Sequence, residues 1–174
     1  MFHNRILGLH NIRKIKYKGG IVLKKRLLII ALIISFLFGA YTFINQQIQR
    51  KKANDIFTDC IYELEGSFAV DYSKVDEEDK ISYYMKAAAY LNTAISILPF
   101  TSYANVENKT GSSNALSKLY LSISINATPQ STNRKIAFTE KQEAIQKCLV
   151  FMCMNPNDKK NWDSLSKIAV EIGY

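Results

Sequence analysis

The chain has 174 residues and a formal charge of +8, and its three cysteines and two histidines are too few for a disulfide framework or a histidine-rich metal site. The charge is lopsided: eight of the 23 basic residues and none of the 15 acidic ones lie in residues 1–26, so residues 27–174 hold fifteen of each. A folded part with no basic surplus has little to neutralise phosphates with, and nucleic acid is not an expected partner.

Residues 1–26 form a basic leader with scattered Ile and Leu. One expectation is a cytoplasmic tail held against the inner leaflet by its charge. The preferred one is a shorter product. Lys18-Gly19-Gly20 is what a purine-rich ribosome-binding site gives when translated, and Leu23 follows as a TTG start, so residues 1–22 would be untranslated. Lys24-Lys25-Arg26 would then open a compact bacterial export leader, and His3 and His10 would be absent from the product.

Leu27 to Ile44, LLIIALIISFLFGAYTFI, carries no charge. As a helix, eighteen residues reach about 27 Å, enough to cross a hydrocarbon core of about 30 Å when the flanks help. Lys24 to Arg26 and Arg50 to Lys52 supply basic flanks. The excess of Lys and Arg before the run places the N-terminus in the cytoplasm and the remainder outside. Cleavage after Ala40 or Gly39 would put Phe38 or Leu37 at the third position before the cut, where a small residue is needed. A retained single-pass anchor over 27–44 is therefore favoured over a cleaved signal.

Beyond it, residues 45–174 read as one extracytoplasmic domain of amphipathic helices. Ile48, Ile56, Phe57, Cys60, Ile61, Leu64 and Phe68 recur mostly at steps of three and four, giving an apolar face that ends near Gly66. Val75-Asp76-Glu77-Glu78-Asp79 opens the next helix, with acids at its partially positive end. Counted as a calcium loop from Asp71, the sixth position would be Glu77 instead of glycine, which disfavours metal.

Ile81 to Leu98 carries two apolar stripes. Ile81, Tyr84, Met85, Ala88, Leu91, Ile95 and Leu98 form one, and Tyr83, Ala87, Tyr90, Ala94 and Ile97 the other. Two apolar sides predict a central helix buried on both. The alternative makes Tyr83, Tyr90 and Ile97 an interaction face. Pro99 stops the helix.

Thr101 to Asn114 reads as a polar loop with a cap at Gly111 to Asn114, followed by a short helix over about 114–125. Pro129 to Phe138 reads as a polar connection. Thr139 with Gln142 resembles a capping box that starts a helix with Ile145, Cys148, Leu149 and Met152 on one face. Asn155-Pro156-Asn157-Asp158 is a turn, and Trp162, Leu165, Ile168, Ala169 and Ile172 line a last helix with Gly173 past its end. The expected fold is all-α: one transmembrane helix, then a small antiparallel bundle of four to five helices. Residues 45–100 sum to −3 and residues 101–174 to +3, which predicts complementary faces.

Cys60 and Cys148 both fall on apolar faces; they are read as small buried hydrophobes, with a disulfide from Cys60 to Cys148 or Cys153 as the alternative that an outside location permits. No histidine follows His10, and no GxxxxGK[ST], GxGxxG or CxxC is present. Histidine-based triads, P-loop and dinucleotide sites and thiol exchange are unsupported, although a helical fold can still bring a Ser-Lys or carboxylate pair together. No catalysis, cofactor, metal or small-molecule ligand is expected. The expected function is protein–protein interaction in the bacterial envelope. The alternatives are a secreted helical effector or hydrolase released by cleavage near Ala40, and a membrane-associated immunity-type protein.

Overall fold

A computed structural model describes the backbone of residues 3–109, 115–126 and 132–172, and the side chains of 24–106, 115–124 and 140–172. The proposed start at Leu23, His3 and His10, the Gly111–Asn114 cap, Pro129 and Gly173 lie outside the described side chains. Among the described residues the chain is all-helical, without strands: α1 (His3–Phe68), α2 (Glu77–Ile97), a 3₁₀ turn (Leu98–Phe100), α3 (Ala104–Lys109), α4 (Ala115–Asn126), α5 (Thr132–Met154) and α6 (Lys159–Glu171). The chain divides into two units, Met1–Gln47 and Ile48–Tyr174.

The first unit holds the uncharged run. Its large apolar side chains are all exposed, from Leu27 to Ile44. The helix over Lys24–Phe68 is long and apolar enough to cross a membrane.

The second unit is built around one hydrophobic core. Phe57, Ile61, Leu64 and Phe68 of α1 join Tyr84, Leu91 and Leu98, Leu116, Leu119 and Ile123 of α4, Ile145, Leu149 and Met152 of α5, and Trp162, Leu165 and Ala169 of α6. Burying a large apolar side chain contributes about 1.5–3 kcal/mol, so this cluster is the main driving force for the unit. The aromatic centre is Phe57, whose ring lies 6.0 Å from Trp162 and 5.5 Å from Tyr103.

The helix ends show why the chain turns where it does. Asp76 caps α2 by accepting a bond from Asp79 N–H at 2.8 Å. Pro99 sits at the start of the 3₁₀ turn, and the Thr101 hydroxyl donates to the Leu98 carbonyl at 2.7 Å. Asp158 caps α6 through Lys160 N–H at 2.9 Å. Trp162 Nε1 donates to the Pro156 carbonyl at 2.8 Å, and Asn161 Nδ2 to the Phe151 and Asn155 carbonyls, so the α5–α6 turn is closed by side chains of the helix it precedes.

Four expectations are corrected. α5 starts at Thr132, seven residues before Thr139, so the backbone at Thr139 is already helical and Gln142 lies inside the helix, away from its start. Gln142 instead donates Nε2–H bonds to the Phe68 carbonyl at 2.8 Å and to the Val70 carbonyl, sealing the end of α1. The loop after Thr101 contains the short helix α3. α2 is buried on one face, along Tyr84, Ala87, Leu91 and Ala94, and Met85 on its back is 65% exposed. Central packing falls instead to α4, against α2, α5 and α6, and to α6, against α3, α4 and α5.

Candidate functional site

The predicted tyrosine face lies on α2 at the edge of the core. Tyr83, Tyr90 and Ile97 are half-buried and pack on the core. Tyr83 meets the Tyr72 ring edge-on at 6.1 Å. Lys86 Nζ stands 5.7 Å over the Tyr90 ring and reaches Glu63 of α1 at 3.6 Å. The stripe is thus half-buried at the edge of the core and leaves only part of each side chain to solvent. Tyr72 was missed in the sequence because it stands between helices. It is buried, and its hydroxyl donates to the Ser67 carbonyl at 2.7 Å. Burial among Tyr83 and Tyr84 pushes its phenol well above the usual range.

The three cysteines are free thiols, Cys60 buried and Cys148 and Cys153 half-buried. Burial pushes all three thiols up, Cys153 to about 11 with the Glu65 carboxylate adding to it. Thiols held this way are poor nucleophiles. Asp71, the first position of the calcium loop considered above, is used locally. Its carboxylate accepts from the Ser73 hydroxyl at 2.5 Å and the Ser73 amide at 3.1 Å, and pairs with Lys74 at 2.9 Å; these bonds lower its pKa to about 2. Among the described residues no three His, Cys, Asp or Glu side chains converge on a metal-sized site.

The more defined surface feature is one the sequence did not single out. A groove of about 450 Å³ runs between α5 and α6. Lys141, Ala144, Cys148 and Phe151 line it from α5, and Asn161, Ser164, Ile168 and Glu171 from α6. Both sets advance by three, four and three residues, the spacing of a heptad seam. Its floor is apolar. Lys147 and Lys167, both exposed, stand at its margins. Lys141 bridges to Glu171 at 2.6 Å across the groove, and that ammonium holds the Glu171 carboxyl below its usual range. Phe151, 50% exposed, and Met154, 77% exposed, extend the apolar surface beyond the groove. What this arrangement offers is a cationic, apolar-floored channel about three helical turns long. In α5 the strongest apolar periodicity belongs to the buried face, since Ile145, Leu149 and Met152 are more apolar than the ridge beside them. The chain matches no protein-family model, and no similar curated protein or solved structure was found.

Proposed function

We propose that this protein is a single-pass membrane protein of the bacterial envelope whose helical bundle, residues 45–174, lies outside the cell and works by binding other proteins, without catalysis or cofactor. One observation carries the reading. Thirteen large apolar side chains between Leu27 and Ile44 are exposed in a stretch with no charge. Leaving them in water would forgo about 20 kcal/mol or more of burial energy, and a bilayer is the medium that recovers it. The eight basic residues before the run support an inside N-terminus. The core of residues 48–172 supports a folded unit able to present a surface.

The test is extraction and protease access in intact bacterial protoplasts. The full chain should stay with membranes through alkaline carbonate and need detergent for release. Added protease should digest residues 45–174. Solubility without detergent, or a protected C-terminal part, would refute the placement. A mature form in the medium beginning near Tyr41 would establish release in place of anchoring.

A further inference from the structure

The helical unit has two unlike ends. At one, the Asn54 side chain ties the start of the unit's first helix to the corner after the 3₁₀ turn, donating to the Ser102 hydroxyl at 3.0 Å and accepting from the Ser102 N–H at 2.9 Å. One turn on, Phe57 stacks with Trp162, whose indole holds the Pro156 carbonyl, so the α5–α6 turn lies at this end too. Arg50, Lys51, Lys52 and Lys160 are exposed here, and so are Phe100, at 67%, and Ile48, at 48%. The acids nearby are fewer, and two are engaged: Asp55 stands one turn along α1, Asp158 caps α6, and Asp163 pairs with Lys159 at 3.0 Å. At the other end Gln142 meets the Phe68 carbonyl and Lys141 meets Glu171. The segment that follows there, residues 71–80, carries five acids against Lys74 and Lys80. The unit is therefore polarised from a basic end to an acidic one. The chain comes into the unit at the basic end. The uncharged run closes at Ile44, four residues before Ile48, and four residues span at most about 14 Å by any path. Headgroups add about 5–7 Å to each side of a hydrocarbon core, so a run lodged in lipid holds the basic end within reach of them.

We propose that this end of the unit docks on anionic phospholipid headgroups of the leaflet from which the run emerges, with Arg50, Lys51, Lys52 and Lys160 against the phosphates and Phe100 and Ile48 seated between them. Successive residues of a helix advance by about 100°, so Arg50, Lys51 and Lys52 ring α1 instead of lining one side, as suits a helix surrounded by headgroups. An anionic surface attracts such cations over about a Debye length, 8–10 Å, and repels the acidic far end, so charge orients the unit as well as holding it. Each contact is weak, but the tether keeps the partners together, and apolar side chains add to the charge as they do in interfacial helices. The inference rests on the span at residues 27–44 and adds which end of the unit faces the lipid and which lipid it selects.

The test is fluorescence quenching in the full-length chain, reconstituted into vesicles and floated to establish insertion. Phe100→Trp places an indole at the basic end, and the fully buried Trp162 of the wild-type chain supplies the baseline. Brominated acyl chains should quench the introduced indole at least about twofold more in vesicles of phosphatidylcholine with phosphatidylglycerol than in phosphatidylcholine alone. Arg50→Gln, Lys51→Gln and Lys52→Gln together should remove that gain. Lys74→Gln, Lys86→Gln and Lys147→Gln take the same charge from exposed sites elsewhere in the unit and should leave it intact. Circular dichroism melts establish that each variant is folded. An indole unquenched in floated vesicles, quenching indifferent to phosphatidylglycerol, or equal losses in the two triple variants overturns the docking and leaves the span standing. A chain that does not float refutes the span, and the docking with it.

Discussion

Gln142→Glu is the most discriminating single change in the unit because it alters one atom at a helix end. The last carbonyls of an α-helix have no partner inside it. At the end of α1 the Gln142 amide supplies hydrogens to the Phe68 and Val70 carbonyls from the half-buried face of α5. A carboxylate in the same place offers oxygen to oxygen. Two lost bonds at about 1 kcal/mol each, plus about 1 kcal/mol for an anion at the negative end of a helix, give roughly 3 kcal/mol. Gln142→Ala loses the bonds without the repulsion and should cost about 1–2 kcal/mol. Trp162, the single tryptophan, is fully buried and reports unfolding of the unit by its emission. With a urea slope of about 2 kcal/mol per molar, the Gln142→Glu variant should unfold about 1.5 M earlier than wild type at pH 7. The folded state raises the introduced carboxyl above its unfolded value of about 4.3, so the variant is relatively most stable below that pH and loses stability as pH rises through the folded value. The deficit against wild type should therefore shrink at pH 4. A variant equal to wild type at pH 7, or a deficit that does not change with pH, would refute the capping role.

Further outcomes follow from the core and the thiols. Phe57→Ala should destabilise the unit by about 3–5 kcal/mol, because it empties a fully buried site between Trp162 and Tyr103; the urea midpoint read by circular dichroism checks this. Asp76→Ala should cost about 1 kcal/mol through loss of the α2 cap, seen in the same melt, whereas Asp76→Asn should retain most of it. Cys153, with its thiol raised from 9.0 to about 11, favours the folded state below pH 9 and loses that contribution as pH climbs towards 11. Melting temperatures of wild type and Cys153→Ser over pH 8–11 should converge on the alkaline side, and Cys153 should be alkylated more slowly than a free thiol at pH 8.

Where a boundary is written in local chemistry, the sequence and the structure agree. Pro99 and Asn155-Pro156 turn the chain where expected because proline and asparagine act on their own backbone. The long apolar run is legible for the same reason: eighteen uncharged residues need no partner to be recognised. Boundaries set by distant residues were not legible. Thr139 and Gln142 have the spacing of a cap, yet the amide is spent on α1, and nothing near residue 142 in the chain announces that. α2 is narrower in its burial than its apolar pattern implies, because Ile81 and Met85 at its start stay exposed although they continue an apolar stripe. Tyr83 and Tyr90 stand at the margin of the buried face, packed on the core, with Lys86 laid over the Tyr90 ring. The α5–α6 groove was invisible for a related reason: its ridges mix Lys, Ala, Ser and Asn with Phe and Ile, and only pairing the two helices makes their spacing meaningful.

The amide that closes α1 comes from a residue 74 positions further along the chain. At a synthesis rate of about 5–20 residues per second, α1 emerges roughly 4–15 s before its stopper exists. During that interval its last turn can only be held by water, and Phe57, Ile61 and Leu64 have no α5 or α6 to lie against. A nascent chain paused before residue 142 should therefore be a substrate for chaperones and proteases at the junction after Phe68. The helical unit matures late, as a whole, once its final two helices have been made.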